Sequence, residues 1–182
     1  FVHGTTRRSA GAYVRMNSVR QRLEQFYMEG AYEGVRMSSA CTINQVYKGE
    51  MRDGSSDGYG FVIDGGFATH IREVVIDKAD TSARIRACMK VNAVQDMIIE
   101  GCQFIRAAFD LEVTPTSDGV ALIHAHNTFF DAAGNASIAL VSTASGNAIK
   151  RIRFDKCWLS SAVTRGAFID GSGGGNINGV LF

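Results

Sequence analysis

Proline is nearly absent from this sequence, and cysteine is too sparse to build a scaffold. The 182 residues include one proline, Pro115, and four cysteines. Four cysteines in a chain of this length do not form the disulfide framework of a small secreted domain, and no Cys-x-x-Cys spacing suggests a zinc site. We therefore predict free, buried thiols and neither a bound metal nor any other cofactor.

A charge excess and long hydrophobic runs are also missing. The sequence has nineteen Lys and Arg residues and eighteen Asp and Glu residues, which gives a formal net charge of +1. A near-neutral chain without a basic strip lacks the cationic surface that collects nucleic acid. The longest apolar runs, such as Met97-Ile98-Ile99, are far shorter than a membrane span requires. The expected partners therefore include neither nucleic acid nor the membrane interior.

Glycine, by contrast, is abundant, at 20 residues, and several glycines follow Asp or Asn. Asp-Gly pairs begin at Asp53, Asp57, Asp64, Asp118 and Asp170, and an Asn-Gly pair begins at Asn178. Both dipeptides favour tight turns with positive φ between strands. The sequence therefore predicts many short strands joined by tight turns.

The predicted strands follow a repeat. An apolar residue that we expect to face inward recurs at intervals of 23, 25, 23, 26 and 29 residues. These inward positions are Met28, Met51, Ile76, Ile99, Ala125 and Phe154. Three residues after each comes a small one, in the series Ala31, Gly54, Ala79, Cys102, Thr128 and Cys157. Two residues before each lies a second apolar residue, with Gly49 as the exception. The period is typical of a solenoid of stacked β-strand coils.

The start of the chain has two interpretations. Asn17-Ser18, the apolar residues Leu23 and Phe26, and Gly30 have the cap, spacing and stop residue of a helix. The same residues also fit a first coil. We therefore assign 1–182 to one β-helix domain, with coils over 26–182 and a leading segment or helix over 1–25. Because the chain lacks an initiator Met, and its last four residues look like the start of a strand, we expect a fragment of a longer polypeptide.

From Met51 to Phe182, the apolar-x-apolar-x-x-small pattern with glycine-rich side turns resembles the right-handed parallel β-helix proteins of the pectate-lyase-like group. Within that group the chain looks most like a bacteriophage tailspike body, because it combines abundant glycine, unpaired cysteines and coils of uneven length. The resemblance implies an all-β, right-handed parallel β-helix of about five to six coils. It also implies a homotrimer, in the virion or outside the cell, that binds a bacterial surface polysaccharide and in many members cleaves it.

No catalytic residue carries over from that resemblance, because the polygalacturonase-like motifs Asn-x-Asp, Gly-His-Gly and Arg-x-Lys are absent. Candidate chemistry comes instead from the residues that follow the inward positions and therefore face outward. Equivalent residues of stacked coils lie about 4.8 Å apart. The resulting ladder is Glu29, Arg52, Asp77, Glu100, His126 and Asp155.

Two pairs in this ladder suit glycosidic cleavage. Asp77 and Glu100, as neighbours, would have the roughly 5 Å separation of acid and nucleophile in a retaining glycosidase. Glu100 and Asp155, two coils apart, approach the inverting separation of roughly 6.5–9.5 Å. His126 between them would instead suit a base in a lyase, with Arg153 neutralising a uronate.

We predict a site on this basis. Its catalytic residues are Asp77, Glu100 and Asp155, and its substrate-binding residues are Arg52, His124, His126 and Arg153. Asp77 and Glu100 are the first choice for acid and nucleophile, and hydrolysis ranks above elimination.

Several alternatives stay open. A ladder of alternating charge also arises from cross-strand pairing alone, which would make the chain a non-catalytic structural shaft or adhesin. The lyase chemistry would indicate a secreted polysaccharide lyase or epimerase. His124 and His126 on one strand face would also suit two zinc ligands. Trp158 either faces outward to bind a sugar ring or fills a corner of the core.

Overall fold

The structure is a computed structural model that describes residues 10–78, 84–116, 119–172 and 174–182. These residues form seventeen β-strands and no helix. The strands pair in parallel and stack as a β-solenoid of about six coils. The all-β parallel solenoid predicted from the repeat is therefore confirmed.

Two parallel sheets run the length of the solenoid. Sheet 1 contains β1 (Ala12–Met16), β3 (Glu33–Met37), β5 (Tyr59–Ile63), β7 (Ala87–Val91), β10 (Phe109–Val113), β13 (Ala136–Val141) and β16 (Arg165–Asp170). Sheet 2 contains β2 (Arg22–Glu29), β4 (Gln45–Arg52), β6 (Phe67–Asp77), β8 (Val94–Glu100), β9 (Gln103–Ile105), β11 (Val120–His126), β12 (Phe129–Asp131), β14 (Ala148–Asp155), β15 (Trp158–Ser160) and β17 (Asn176–Leu181). Each coil contributes to both sheets in turn.

The coils turn at residues in the left-handed region, which stack in three columns. The first corner consists of Arg20, Ile43, Ala68, Asp96, Leu122, Arg151 and Gly179. The second consists of Gln25, Lys48, Glu73, Gly101, Asn127 and Lys156. The third includes Gly30, Asp53, Arg106, Ala132 and Ser161. Most of these residues are not glycine, although positive φ costs other residues about 1–2 kcal/mol. Pairing with the neighbouring coils on both sides holds them in place.

The second corner divides sheet 2 into two faces. The front face lies before it and includes β8, β11, β14 and β17. The side face lies after it and includes β9, β12 and β15. The earlier strands β2, β4 and β6 run through the corner and contribute to both faces. The long β6 therefore pairs with β8 through its first half and with β9 through its second half.

This double pairing of β6 corrects the predicted register. Ile71, and not Ile76, pairs with Ile99, whereas Ile76 pairs with Phe104. All six predicted inward positions are buried. However, Met28, Met51 and Ile76 line the wall behind the side face, and Ile99, Ala125 and Phe154 line the wall behind the front face. The prediction of one continuous column was wrong.

The reason is that two corners share one local pattern. Met28-Glu29-Gly30 ends the side face with an inward residue, an outward residue and a left-handed glycine. Ile99-Glu100-Gly101 ends the front face with the same three kinds of residue. The coil from Ile76 to Phe104 is 28 residues long, and the pattern at Ile99 comes five residues too early to be its equivalent.

The predicted column of small residues divides in the same way. Ala31 and Gly54 lie beside the third corner, where the Ser55 amide donates to the Ala31 carbonyl oxygen at 2.9 Å. Cys102, Thr128 and Cys157 follow the second corner. Ala79 lies outside the described residues.

The segment with two interpretations forms a strand and not a helix. Leu23 pairs with Val46, and Phe26 pairs with Gly49, within a full coil. Leu23 and Phe26 are three residues apart because the left-handed Gln25 between them inserts one residue into the alternation. The resulting three-residue interval between apolar residues is the same as the interval on one face of a helix. The structure also explains why Gly49 interrupts the series of apolar residues: a Cβ at this position would collide with the ring of Phe26.

One buried carboxyl group lies inside the solenoid near sheet 1. Asp110 in β10 is fully buried, and neither of its carboxyl oxygens has a hydrogen-bond partner of good geometry among the described residues. Burial raises the pKa of Asp110 to about 9, although the nearby Ser137 hydroxyl lowers it; the charge of Asp131 raises it further. Asp110 is therefore protonated at neutral pH.

This shift predicts that the protein loses stability as the pH rises. The folded-state pKa lies above the ordinary value of 3.8, so the folded protein binds a proton that the unfolded chain has released. Asp110 then lowers the free energy of unfolding by up to about 1.4 kcal/mol per pH unit between about pH 4 and pH 9. Asp110→Asn keeps the shape of the side chain but cannot ionise. The urea concentration at the midpoint of its unfolding should therefore fall less steeply with pH than that of the wild type. Above neutrality, the midpoint of the variant should exceed that of the wild type.

The matched control is Asp57→Asn, which alters an exposed turn carboxylate. It should leave the pH dependence of the urea midpoint unchanged. Equal slopes for Asp110→Asn and the wild type would contradict a protonated Asp110.

Candidate functional site

The front face carries a ladder of outward side chains just before the second corner. Successive members pair in neighbouring coils, in the order Glu24, Tyr47, Arg72, Glu100, His126 and Asp155. The sequence predicted the last three members in this order. Arg72 takes the place below Glu100 that the sequence had assigned to Asp77.

Glu100 is the centre of a half-buried polar cluster, which we call the Glu100 cluster and which contains His70, Arg72, Glu100 and His126. The Glu100 carboxylate lies 3.1 Å from Arg72 Nε, 3.2 Å from His70 Nε2 and 3.9 Å from His126 Nε2. The Tyr47 hydroxyl extends the cluster, at 3.5 Å from His70 Nδ1. The carboxylate thus contacts two side chains of the preceding coil and lies near the imidazole of the following one.

Asp77 and Arg52 lie elsewhere, at the end of the side face. Asp77 pairs with Arg52 in the coil before and with Ile105 in the coil after. Its carboxylate accepts two hydrogen bonds from the guanidinium of Arg106, at 2.8 and 2.5 Å. Arg52 contacts Glu50 at 2.5 Å. The predicted retaining pair of Asp77 and Glu100 was therefore wrong in its geometry, because the two residues belong to different columns.

The other predicted carboxylate pair keeps its geometry. His126 pairs with Glu100 on one side and with Asp155 on the other, so the two carboxylates are two coils apart, at about 9.6 Å by strand spacing. This value lies just above the inverting range of roughly 6.5–9.5 Å. Asp155 also contacts Arg153 of its own strand at 3.4 Å. The arrangement places a carboxylate, an imidazole and a second carboxylate on one line of outward side chains.

A second outward column runs beside the first on the front face. It contains His70, Ile98, His124, Arg153 and Leu181. The rings of His124 and His126 lie 5.2 Å apart, and the buried His124 Nε2 has no hydrogen-bond partner among the described residues. Among the residues that the structure describes, no group of three or more His, Cys, Asp or Glu side chains is arranged to hold a metal ion.

The side face ends in two exposed aromatic rings. Trp158 and Phe129 occupy neighbouring coils, and their side chains are 59% and 49% exposed. The ring centroids are 6.4 Å apart, with 33° between the planes. Of the two alternatives for Trp158, the structure therefore supports the outward one. Trp158 lies three residues after Asp155, across the corner at Lys156.

Three residues of this surface were not found from the sequence. His70 and Arg72 lie some thirty residues before Glu100, and only the double pairing of β6 brings them to it. Phe129 precedes Phe130, whose ring packs inside against Phe104 at 5.7 Å. The alternation of a short strand was the one available signal that Phe129 faces outward.

Comparison with family models, with curated proteins and with solved structures finds no match to this chain. Within the described ranges, no helix is long and apolar enough to cross a membrane.

Proposed function

We propose that this chain is the β-helix body of a phage tailspike-type receptor-binding protein that recognises a bacterial surface polysaccharide, in the virion or outside the cell. The observation that carries the proposal is the exposed pair Phe129 and Trp158. Large aromatic side chains usually bury most of their surface, and two neighbouring exposed rings indicate a binding surface. Flat apolar rings pack well against the faces of pyranose sugars.

The surroundings of the ring pair also suit a sugar polymer. Hydroxyl and carboxyl groups flank the rings, with Ser160 two residues beyond Trp158 and Asp131 two residues beyond Phe129. Polar groups at the edge of an apolar platform satisfy sugar hydroxyls. The two rings occupy neighbouring coils and therefore follow one another along the solenoid axis, which suits an elongated ligand.

The proposal includes a homotrimer. Val19, Ile43 and Phe67 are each about half exposed and follow one another along the first corner, in contiguous coils. A line of exposed apolar side chains is a feature of subunit interfaces. It lies on the opposite edge of the front face from Trp158, so a neighbouring copy on this line would leave the aromatic pair free.

Trp158 provides both the mutation and the probe for a test. It is the single tryptophan of the chain, so its fluorescence reports on this surface alone. Purified bacterial capsular and O-antigen polysaccharides that bind here should change its emission. Trp158→Ala should weaken binding to immobilised polysaccharide at least tenfold, roughly the loss of 1.4 kcal/mol from a binding hot spot.

The matched control is Phe168→Ala, which removes a ring from the outer face of sheet 1, where the Arg165 guanidinium lies 4.6 Å above it. Its affinity should equal that of the wild type. If both variants bind as the wild type does, or if no polysaccharide binds the wild type, the proposed recognition surface is wrong.

Cleavage of the bound polysaccharide is a second candidate function, favoured by the position of His126 between Glu100 and Asp155. The spacing suits an inverting hydrolase with Glu100 and Asp155 as the pair. Glu100→Gln preserves the size of the side chain and can still accept hydrogen bonds from Arg72 and His70. It should abolish the release of reducing ends and leave polysaccharide binding intact.

Other products identify the other functions. An unsaturated uronate at the new chain end would indicate a lyase with His126 as the base. Binding by the wild type without any product would indicate a non-catalytic adhesin. Equal release of reducing ends by Glu100→Gln and the wild type would exclude Glu100 from the reaction.

A further inference from the structure

A groove runs along the first corner at the upper end of the front face. We call it the corner groove and define it by Ile98, Leu122, His124, Arg151, Arg153 and Leu181. Its volume is about 460 Å³. One side is formed by corner residues with left-handed backbone, and the other by outward strand residues two positions later. Gly179, at the corner of the last of these coils, contributes no side chain.

Positive charges outnumber negative charges among the groove residues by two to one. Arg151 and Arg153 come from the same strand, and Asp96 is the one acidic residue that lines the groove. Within the described part of the chain, Arg151 makes no ion pair and no side-chain hydrogen bond, whereas Arg153 is partly paired with Asp155 at 3.4 Å. At least one guanidinium is therefore available to an anion.

One residue of the groove, His124, also carries an unsatisfied polar atom. His124 Nε2 is buried, and no group of the described residues forms a hydrogen bond with it. A buried polar atom without a partner costs about 1–3 kcal/mol.

The remaining lining is apolar. Leu122 is 43% exposed, and Ile98 lies between His70 and His124 in its column. A surface that combines guanidinium groups with exposed aliphatic side chains suits a ligand that carries both a carboxylate and apolar ring or acyl groups. A simple inorganic anion would leave the aliphatic part exposed.

We propose that the corner groove binds an acidic sugar residue of the polysaccharide, a hexuronic or nonulosonic acid, with its carboxylate on Arg151 and Arg153. This inference rests on the proposed function and names the class of polysaccharide. Ile98, Leu122 and Leu181 contact the sugar ring or its acyl substituents. The groove column lies beside the ladder column on the same face, so a sugar bound in the groove has His126 as a neighbour.

The test compares glycans that differ only in their carboxylates. Purified bacterial capsular polysaccharides that contain glucuronic, galacturonic or nonulosonic acid are immobilised beside their carboxyl-reduced forms and beside neutral O-antigens. The full chain should bind an acidic member and lose at least tenfold in affinity when its carboxylates are reduced. Arg151→Gln should cause a similar loss, because a hydrogen bond between charged groups is removed.

The control is Arg15→Gln, which removes the same charge from an exposed position on sheet 1 and should leave the affinity unchanged. Binding of neutral glycans that Trp158→Ala weakens, with no preference for carboxylates, would overturn the acidic-sugar site and leave the proposed function standing. Equal affinity of Arg151→Gln and the wild type for an acidic glycan would also overturn it. Absence of binding to every glycan would overturn both proposals.

Discussion

Parallel hydrogen bonding between successive coils is the constraint on which the rest of the structure depends. It fixes equivalent residues about 4.8 Å apart, so a column of side chains forms whether or not its members are near in sequence. Glu100 meets Arg72 and His126 for this reason alone. The same stacking aligns Phe129 with Trp158 and places Arg151 above Leu122. Each proposed binding surface is thus a consequence of register, and a slip would separate its members.

The coils also depend on three corners of left-handed residues, and these corners explain what the sequence could and could not predict. Alternation and period were sufficient for the parallel solenoid, because inward apolar residues recur in every coil. The register between the third and fourth coils was not predictable in the same way. Ile99-Glu100-Gly101 and Met28-Glu29-Gly30 have the same local form at different corners. A pattern that repeats more than once per coil does not specify which corner it marks.

The candidate site was predicted only in part, again because two corners share one local pattern. Glu100, His126 and Asp155 formed the expected ladder because the chain keeps one corner in register across those coils. Asp77 was assigned to the ladder because its corner was mistaken for the corner at Glu100. Its carboxylate instead forms an ion pair with Arg106. His70 and Arg72 gave no signal, since their contact with Glu100 requires β6 to pair with two strands. The result is a polar front face beside an aromatic side face, which together suit recognition of a charged polysaccharide.

Engineered disulfides test the register most directly. Adjacent residues of neighbouring parallel strands fall within the Cα separation of 4.4–6.8 Å, approximately, that a disulfide requires. Arg72→Cys with Glu100→Cys should therefore form a crosslink under mild oxidation, detected by mass spectrometry after digestion. Asp77→Cys with Glu100→Cys should not, and the single variants control for the four native cysteines, of which three are buried. A crosslink between positions 77 and 100, with none between 72 and 100, would contradict the pairing of β6 with β8 on which the register depends.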